Sequence, residues 1–148
     1  MNTFLLEIIT PQRRAFSEEV DAITVPTSGG SVGVLSRHEP LFTVLSEGEI
    51  KITNHKKEYF LAIGGGFMEV VHNHVSILVS RAVHADELNE AEIKRAMESA
   101  KNALKSKGEG ADLSHAQAVL RRSVLELKVL GRRKRHVNPT FPTTELPM

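Results

Sequence analysis

The sequence contains no cysteine and no tryptophan, and aromatic residues make up only 5% of its 148 residues. Without cysteine the chain can form neither a disulfide framework nor a thiol nucleophile. Its apolar runs are a few residues long, far below the roughly 20 residues that span a bilayer. We recognise neither a signal peptide nor a transit segment at residues 1–9, so no transmembrane or exported chain is predicted.

The residues that are present allow a packed core and show a charge asymmetry. A hydrophobic fraction of 41% over 148 residues suits one ordinary domain or two small ones. Residues 1–84 hold 7 Lys/Arg and 9 Asp/Glu, whereas residues 85–148 hold 12 and 9. The net charge of +1 therefore hides a basic second half, which favours an acidic partner for that half.

Residues 1–84 are expected to form a mainly β domain. Short strand-like runs alternate with turn signals, and the alternation is clearest in residues 50–53 and 75–79, where one face is apolar. Many short strands with close turns predict an antiparallel sandwich or barrel. No stretch between them has room for a crossover helix, which argues against a parallel α/β sheet.

Residues 85–135 are expected to form an antiparallel helical hairpin. Asn89 and Glu92 make a capping box for a first helix, and the glycines at 108–110 end it. A second helix is predicted from about Ser114, with its end near Gly131 and an apolar stripe at three- and four-residue steps. That stripe is Ala116, Leu120, Val124, Leu127 and Leu130. Residues 136–148 contain three prolines and are predicted to form an extended tail.

The most distinctive stretch lies between strands, at residues 25–52. The strand ahead of it is expected to end at Pro26, which has no N–H for a ladder. Three glycines follow within five positions, where the backbone can adopt positive φ: Gly29, Gly30 and Gly33. A polar turn at residues 36–40 precedes two more strand-like runs. Detailed loops of this kind often carry binding function.

Several separate motifs together resemble the epsilon subunit of the F-type ATP synthase. In this stretch they are Gly33-Val34-Leu35, His38-Glu39-Pro40-Leu41 and Leu45-Ser46-Glu47-Gly48-Glu49-Ile50. Further matches are Leu6-Glu7-Ile8-Ile9-Thr10-Pro11 and Gly65-Gly66-Phe67-Met68-Glu69-Val70. The family most often has alanine where this chain has Glu39. The resemblance covers about residues 3–133.

The resemblance implies a non-catalytic subunit of the rotor, or central stalk, of a proton-translocating ATP synthase. Such a subunit clamps the gamma subunit to the ring of c subunits, and its hairpin can extend into the alpha/beta catalytic head and block ATP hydrolysis. The implied location is peripheral to the membrane, through the complex. We expect the cytoplasmic face of a bacterial plasma membrane, since no transit segment is recognised and the hairpin is basic.

The resemblance also implies two sets of contact residues. The rotor-ring and gamma contacts would be Gly29, Gly30, Ser31, Val32, His38 and Glu39. We expect His38 and Glu39 to lie near the glycine loop, and the family often has an acidic residue in place of Ser31. The contact with an acidic loop of the beta subunit would use Arg121, Arg122, Lys128, Arg132 and Arg133. From charge alone, a solvated helix face remains an alternative for these cations.

No cofactor and no metal are predicted. Some family members bind ATP on the hairpin through an Ile/Leu-Asp-x-x-Arg-Ala motif, but here its Asp, Arg and Ala positions hold Asn89, Glu92 and Ile93. A carboxylate in place of a cation argues against phosphate binding. The glycine loop lacks the Lys-Ser/Thr of a P-loop, and His72-Asn73-His74 lacks a suitably spaced third ligand.

Two alternatives from other classes stay open at this point. An unrelated sandwich-and-hairpin adaptor could bind an acidic protein or nucleic acid, although no aromatic residues interleave with the cations as nucleic-acid binding favours. A small β-sandwich enzyme would need a metal or a perturbed acid–base pair, and no G-x-S-x-G elbow or single carboxylate pair stands out.

Overall fold

The computed structural model describes residues 2–106 and 110–135. Ten strands come first and two helices follow, with a 3-10 turn at Ala85–Glu87 between them. The strands are β1 (Phe4–Ile9), β2 (Arg14–Val20), β3 (Ala22–Thr27), β4 (Gly30–Leu35), β5 (Leu41–Leu45), β6 (Gly48–Asn54), β7 (Lys57–Ile63), β8 (Gly66–Val71), β9 (His74–Val79) and β10 (Ala82–His84). The helices are α1 (Glu90–Lys105) and α2 (Ala111–Arg135).

The strands form two five-stranded sheets, as expected for a sandwich. One sheet has the order β2-β1-β9-β8-β5 and the other the order β10-β7-β6-β3-β4. Alternate residues of each strand point into the space between them, where Leu6, Phe16, Ile50 and Met68 are fully buried. One neighbouring pair, β1–β9, is parallel, and the other pairs described are antiparallel.

The expected end of a strand at Pro26 is wrong, because β3 continues to Thr27 and pairs Pro26 with Ser31. The N and O atoms of one strand residue point to the same side. The Pro26 carbonyl accepts a hydrogen bond from the Ser46 N–H at 3.1 Å, so its nitrogen faces the same side. On that side β3 faces β6, but the two strands pair only at Ala22–Thr24, before Pro26 is reached. The missing N–H of Pro26 therefore removes no ladder bond.

Both helices begin near their expected positions, and the second is longer than expected. Asn89 caps α1, and its side chain accepts a hydrogen bond from the Glu92 N–H at 3.2 Å. Helix α2 begins at Ala111 rather than Ser114 and continues past Gly131 to Arg135. Residues 108 and 109 of the turn predicted at 108–110, and the predicted tail at 136–148, lie outside the described residues. Neither helix has, in its described part, the length and apolar character that a membrane span needs.

The predicted apolar stripe of α2 is partly wrong. Val124 is 59% exposed, whereas Val129 is completely buried. Two polar residues, Ser123 and Glu126, are also buried on this helix. The reason is that α2 packs against both α1 and the outer face of β7, so its buried surface is wider than one stripe and is turned toward the sandwich.

Candidate interaction surfaces

The glycine loop is the tip of the β3–β4 hairpin. Gly30 has φ of +115°, a conformation that L residues other than glycine rarely adopt. Thr27 holds the tip: its hydroxyl donates to the Gly30 carbonyl at 2.7 Å and accepts from the Gly29 N–H at 3.2 Å. Gly29, Gly30 and Ser31 are exposed and Val32 is half-buried. The tip is thus an ordered backbone surface.

His38 and Glu39 do not lie near this tip, which corrects the sequence-based expectation. The tip lies at the beginning of β4, whereas His38 and Glu39 follow the end of β4. The length of this six-residue strand, about 20 Å, therefore separates the tip from these two residues. The segment after β4 is held by Asn73, whose side chain accepts from the Arg37 N–H at 2.8 Å and donates to the Thr3 carbonyl at 2.6 Å. The ring of His38 contacts the Glu39 carbonyl through Nδ1 at 2.7 Å.

The outer face of the first sheet carries an exposed apolar patch that the sequence analysis missed. It consists of Phe42, Val44, Phe67 and Leu78, which are 62%, 69%, 42% and 40% exposed. Register places Val44, Phe67 and Leu78 side by side across β5, β8 and β9. The rings of Phe42 and Phe67 stack with centroids 5.4 Å apart. These four residues form the apolar patch.

A shallow groove of about 500 Å³ adjoins the apolar patch, lined by Ile9, Pro11, Phe67 and Leu78 among others. Its backbone floor depends on Gly66, because a Cβ there would lie 2.7 Å from the Val79 Cα. Contiguous apolar surface with an adjoining groove is typical of protein-binding sites. The signal in the sequence was that β5 and β8 carry apolar residues at both alternating positions.

Helix α2 covers the outer face of the second sheet. Strand β7 is buried on both faces from Tyr59 to Ile63, because Leu61 and Ile63 point into the sandwich while Phe60 and Ala62 point to the helix. Phe60 and Ala62 form a small second core with Ala85 and Val129. Burial of this apolar surface stabilises the docked position of the hairpin.

Among the side chains that the structure describes, three ion pairs surround this second core. Arg121 Nε lies 2.8 Å from Glu47 Oε1, and Arg132 Nη2 lies 3.6 Å from Glu49 Oε1. Arg132 also lies over the Phe60 ring, 6.0 Å from its centroid, within cation–π range. The third pair joins Arg81 to Glu126, whose side chain is 9% exposed. The docked hairpin is therefore held by charge as well as by apolar contact.

The five cations predicted to meet an acidic partner do not form one exposed cluster. Arg121 and Arg132 are turned to carboxylates of the sandwich. Lys128 is exposed, and Arg122 is half-buried beside the groove between the two helices. The side chain of Arg133 lies outside the described residues.

The junction between sandwich and hairpin contains a buried histidine. His84 Nε2 lies 2.9 Å from the Ala15 carbonyl, so this nitrogen carries the proton. The backbone N–H of His84 donates to Glu87 Oε1 at 3.0 Å, and the same carboxylate is bound by Arg13 at 2.8 Å. Burial lowers the pKa of His84, although the Glu87 and Asp86 carboxylates oppose that shift. Burial is the largest single influence on Glu87 and opposes its ionisation, but the hydrogen bonds from Arg13 and from the His84 backbone, together with the charges of Arg13 and His84, outweigh it, so the pKa of Glu87 is lowered.

The position of the degenerate ATP motif is acidic. Asn89 is occupied as the α1 cap, Glu92 lies in the first turn, and Ile93 is buried. The nearby cation, Lys94, lies 3.1 Å from Glu90. A surface groove of about 610 Å³ is lined here by Asn89, Glu90, Lys94 and Leu130 among others. The absence of ATP binding stays a prediction.

The histidine pair of β8–β9 does not form a metal cluster. His72 lies in the turn at φ of +49°, and His74 Nε2 contacts Glu7 Oε1 at 2.7 Å. Among residues 2–106 and 110–135, no group of three or more His, Cys, Asp or Glu side chains is placed to hold a metal ion.

A β-sandwich that carries a docked helical hairpin on one sheet and an exposed apolar patch on the other defines a small interaction subunit of a larger assembly. Comparison with known proteins gives the family. The family model of the ATP synthase delta/epsilon chain, beta-sandwich domain, matches residues 3–85. The chain belongs to the ATP synthase epsilon chain family.

Two relatives and one solved structure illustrate the similarity. The ATP synthase epsilon chain of Herpetosiphon aurantiacus is 42% identical over 129 residues, 87% of this chain and 95% of the relative. That of Chloroflexus aggregans is 40% identical over 84% of this chain and 89% of the relative. A chain of the Euglena gracilis mitochondrial ATP synthase, at 24% identity and a TM-score of 0.64, covers 92% of this chain and 82% of that one and shares the fold. The relatives do not support the alternative of an unrelated adaptor.

Proposed function

We propose that this chain is the central-stalk subunit of a proton-translocating F-type ATP synthase that links the gamma subunit to the c-subunit rotor ring. Membership of the epsilon chain family supports this role. The Euglena structure that shares the fold contains F1 and a c-ring. The subunit is non-catalytic, and it is peripheral to the membrane through the complex, on the cytoplasmic face of a bacterial plasma membrane.

The observation that carries the proposal is the apolar patch on the sheet that the hairpin leaves uncovered. Phe42 and Phe67 expose 62% and 42% of their surface in the isolated chain. Large exposed aromatic side chains on a rigid sheet are favourable anchors for a protein partner. We assign this surface, with His38 and Glu39 in the turn before β5, to the gamma subunit.

The β3–β4 tip is assigned to the rotor ring. Because Gly29–Val32 lies about a strand length from His38 and Glu39, one compact contact cannot include both sets. The tip offers exposed backbone with few side chains. A hydrogen-bonded contact with a polar loop suits such a surface.

The hairpin acts as a brake in this proposal. Its docked position leaves hydrolysis free. Release from β7 would let α2 extend along gamma toward the alpha/beta head, where its cations meet an acidic loop of beta. Two arrangements of similar free energy are sufficient for such a switch.

The test is ATP hydrolysis by the cognate gamma-containing catalytic complex stripped of this subunit. Adding back the full chain is expected to give co-elution with gamma and a lower hydrolysis rate. Co-elution without inhibition would retain the clamp and remove the brake. Failure of the chain to bind the complex would overturn the proposed function as a whole.

A further inference from the structure

Two carboxylates of the sandwich lie against two cations of α2. Glu47 lies in the β5–β6 turn and Glu49 near the beginning of β6, and they reach Arg121 and Arg132. These two arginines belong to the set assigned above to an acidic partner. In the docked chain, their guanidinium groups are therefore bound to carboxylates of the same molecule.

The end of the β5–β6 turn and the beginning of β6, which carry the two carboxylates, are rigidly placed. The Ser46 N–H donates to the Pro26 carbonyl at 3.1 Å. A Cβ at Gly48 would lie 2.7 Å from the Pro26 Cβ, so β3 and the beginning of β6 are in close contact. The two carboxylates are thus presented on a fixed backbone, which reduces the entropy lost when they bind a cation.

The two pairs differ in strength. Arg121 is 65% exposed, so solvent and salt screen its pair with Glu47. Arg132 is 37% exposed and Glu49 only 13%, and the guanidinium also lies over Phe60. The Arg132–Glu49 contact is continuous with the second core, and we expect it to contribute more to docking.

We propose that Glu47 and Glu49 form an internal acidic site that occupies Arg121 and Arg132 and so holds the hairpin in its docked, non-inhibitory position. The external competitor is an acidic protein surface, which can bind the same guanidinium groups only after they leave the sandwich. Docking and binding of the acidic partner exclude each other. The competitor's identity as the catalytic head rests on the proposed function, whereas the docking contact does not.

Docking can be measured in the isolated full chain by the distance between two spin labels. The chain has no native cysteine, so labels at Val124→Cys and Leu35→Cys are unique. Both positions are exposed, at 59% and 65%, one on α2 and one on β4. Against this background, Glu47→Gln with Glu49→Gln is expected to raise the ratio of released to docked hairpin about fivefold, since exposed pairs contribute modestly.

Matched controls separate this effect from loss of charge alone. Glu19→Gln with Glu98→Gln removes two exposed carboxylates, one on β2 of the other sheet and one on α1, and is expected to leave the ratio unchanged. Exchanging the charges, Glu47→Arg with Arg121→Glu, is expected to restore docking relative to Glu47→Arg alone. Equal ratios in the wild type and the Glu47/Glu49 variant, or no rescue by the exchange, would overturn the proposal.

Inhibition of the catalytic complex provides the second measurement. The Glu47/Glu49 variant is expected to inhibit ATP hydrolysis at about fivefold lower concentration than the unaltered chain, because more of its hairpin is released. If the variant releases its hairpin but the chain does not bind the complex, the proposed function fails and the internal site stands. If the chain binds and inhibits but the variant does so no better, the internal site does not control inhibition.

Discussion

Arg81 and Glu126 form an ion pair between the segment after β9 and the middle of α2, 45 residues further along the chain. Glu126 is 7% exposed as a residue and stands in a helix surface that otherwise buries Ser123, Val129 and Leu130. A carboxylate at such a position is tolerated because its charge is paired. The pair therefore fixes how α2 is rotated on the sandwich.

Replacing Glu126 by alanine is expected to loosen the hairpin by about 1–3 kcal/mol, because Arg81 is left partly buried without its counter-charge. The partial exposure of Arg81 keeps the cost below that of a fully buried pair. Hydrogen exchange of the α2 amides is the suitable measurement, since the loss is local. Lys128→Ala, at an exposed position on the same helix, is the control. Equal protection of α2 in both variants would contradict this account of docking.

The rotation of α2 also shows what sequence periodicity could and could not predict. Counting apolar residues predicts a buried stripe through Val124. In the structure Val124 is exposed, and a serine and a carboxylate, Ser123 and Glu126, are buried instead. Glu126 has its partner in Arg81, which is distant in sequence. The existence of the helix was predictable from local pattern, whereas its orientation depended on a long-range contact.

The sandwich, in contrast, was predictable because its signal is local: each strand shows its burial in its own residue pattern. Alternation in β6 and β9 reports burial on one face, and the structure confirms it at Ile50, Ile52, Val75 and Ile77. The unbroken apolar run of β7 carried a further signal. It indicates a strand covered on both faces, and the second cover is α2. The apolar patch was missed because exposed Phe42 and Phe67 look, in sequence, like further core residues.

Stability of the junction is expected to fall in mild acid. Because the folded pKa of His84 is lowered, the unfolded chain takes up the proton first, near 6.5. The contribution of neutral His84 is therefore complete above that pH and is lost as pH falls toward the lower folded pKa. Urea unfolding between pH 7.5 and 5.5 should show this loss.

The histidine origin of that pH dependence can be isolated by substitution. His84→Gln keeps a donor for the Ala15 carbonyl but cannot titrate, so its stability should change less between the two pH values. His55→Gln, in the exposed β6–β7 turn, should retain the full dependence. Arg13, Asp86 and Glu87 also face His84, and a slope that survives unchanged in His84→Gln would contradict its assignment to the histidine.

Gly66, at the beginning of β8, is expected to tolerate substitution poorly. A Cβ there would approach the Val79 Cα to 2.7 Å and also meet the Leu78 backbone, which cannot rotate away. Gly66→Ala should lower the free energy of unfolding by about 2–4 kcal/mol. Gly33→Ala is the control, since its Cβ would lie 4.0 Å from its nearest neighbour across the sheet, the Ile23 carbonyl oxygen. Similar stability of the two variants would show that the β8–β9 backbone can separate.

Phe67 is expected to contribute to binding far more than to folding. Its side chain is 42% exposed and stacks on Phe42, so Phe67→Ser should change the free energy of unfolding by only about 1 kcal/mol. An aromatic anchor at an interface is worth more, and binding to the gamma-containing complex should weaken at least about tenfold. Binding is measured by titration of labelled full-length chain.

The matched control for Phe67 is Leu35→Ser, which removes an apolar side chain that is 65% exposed on β4 of the other sheet. It should retain normal affinity if the partner occupies the apolar patch and not exposed apolar surface in general. Equal weakening of binding by both substitutions would indicate that the partner contacts both sheets. Unchanged binding of Phe67→Ser, with the chain still folded, would show that the gamma subunit does not bind this face. In that case the anchoring role would have to come from the β3–β4 tip or from His38 and Glu39.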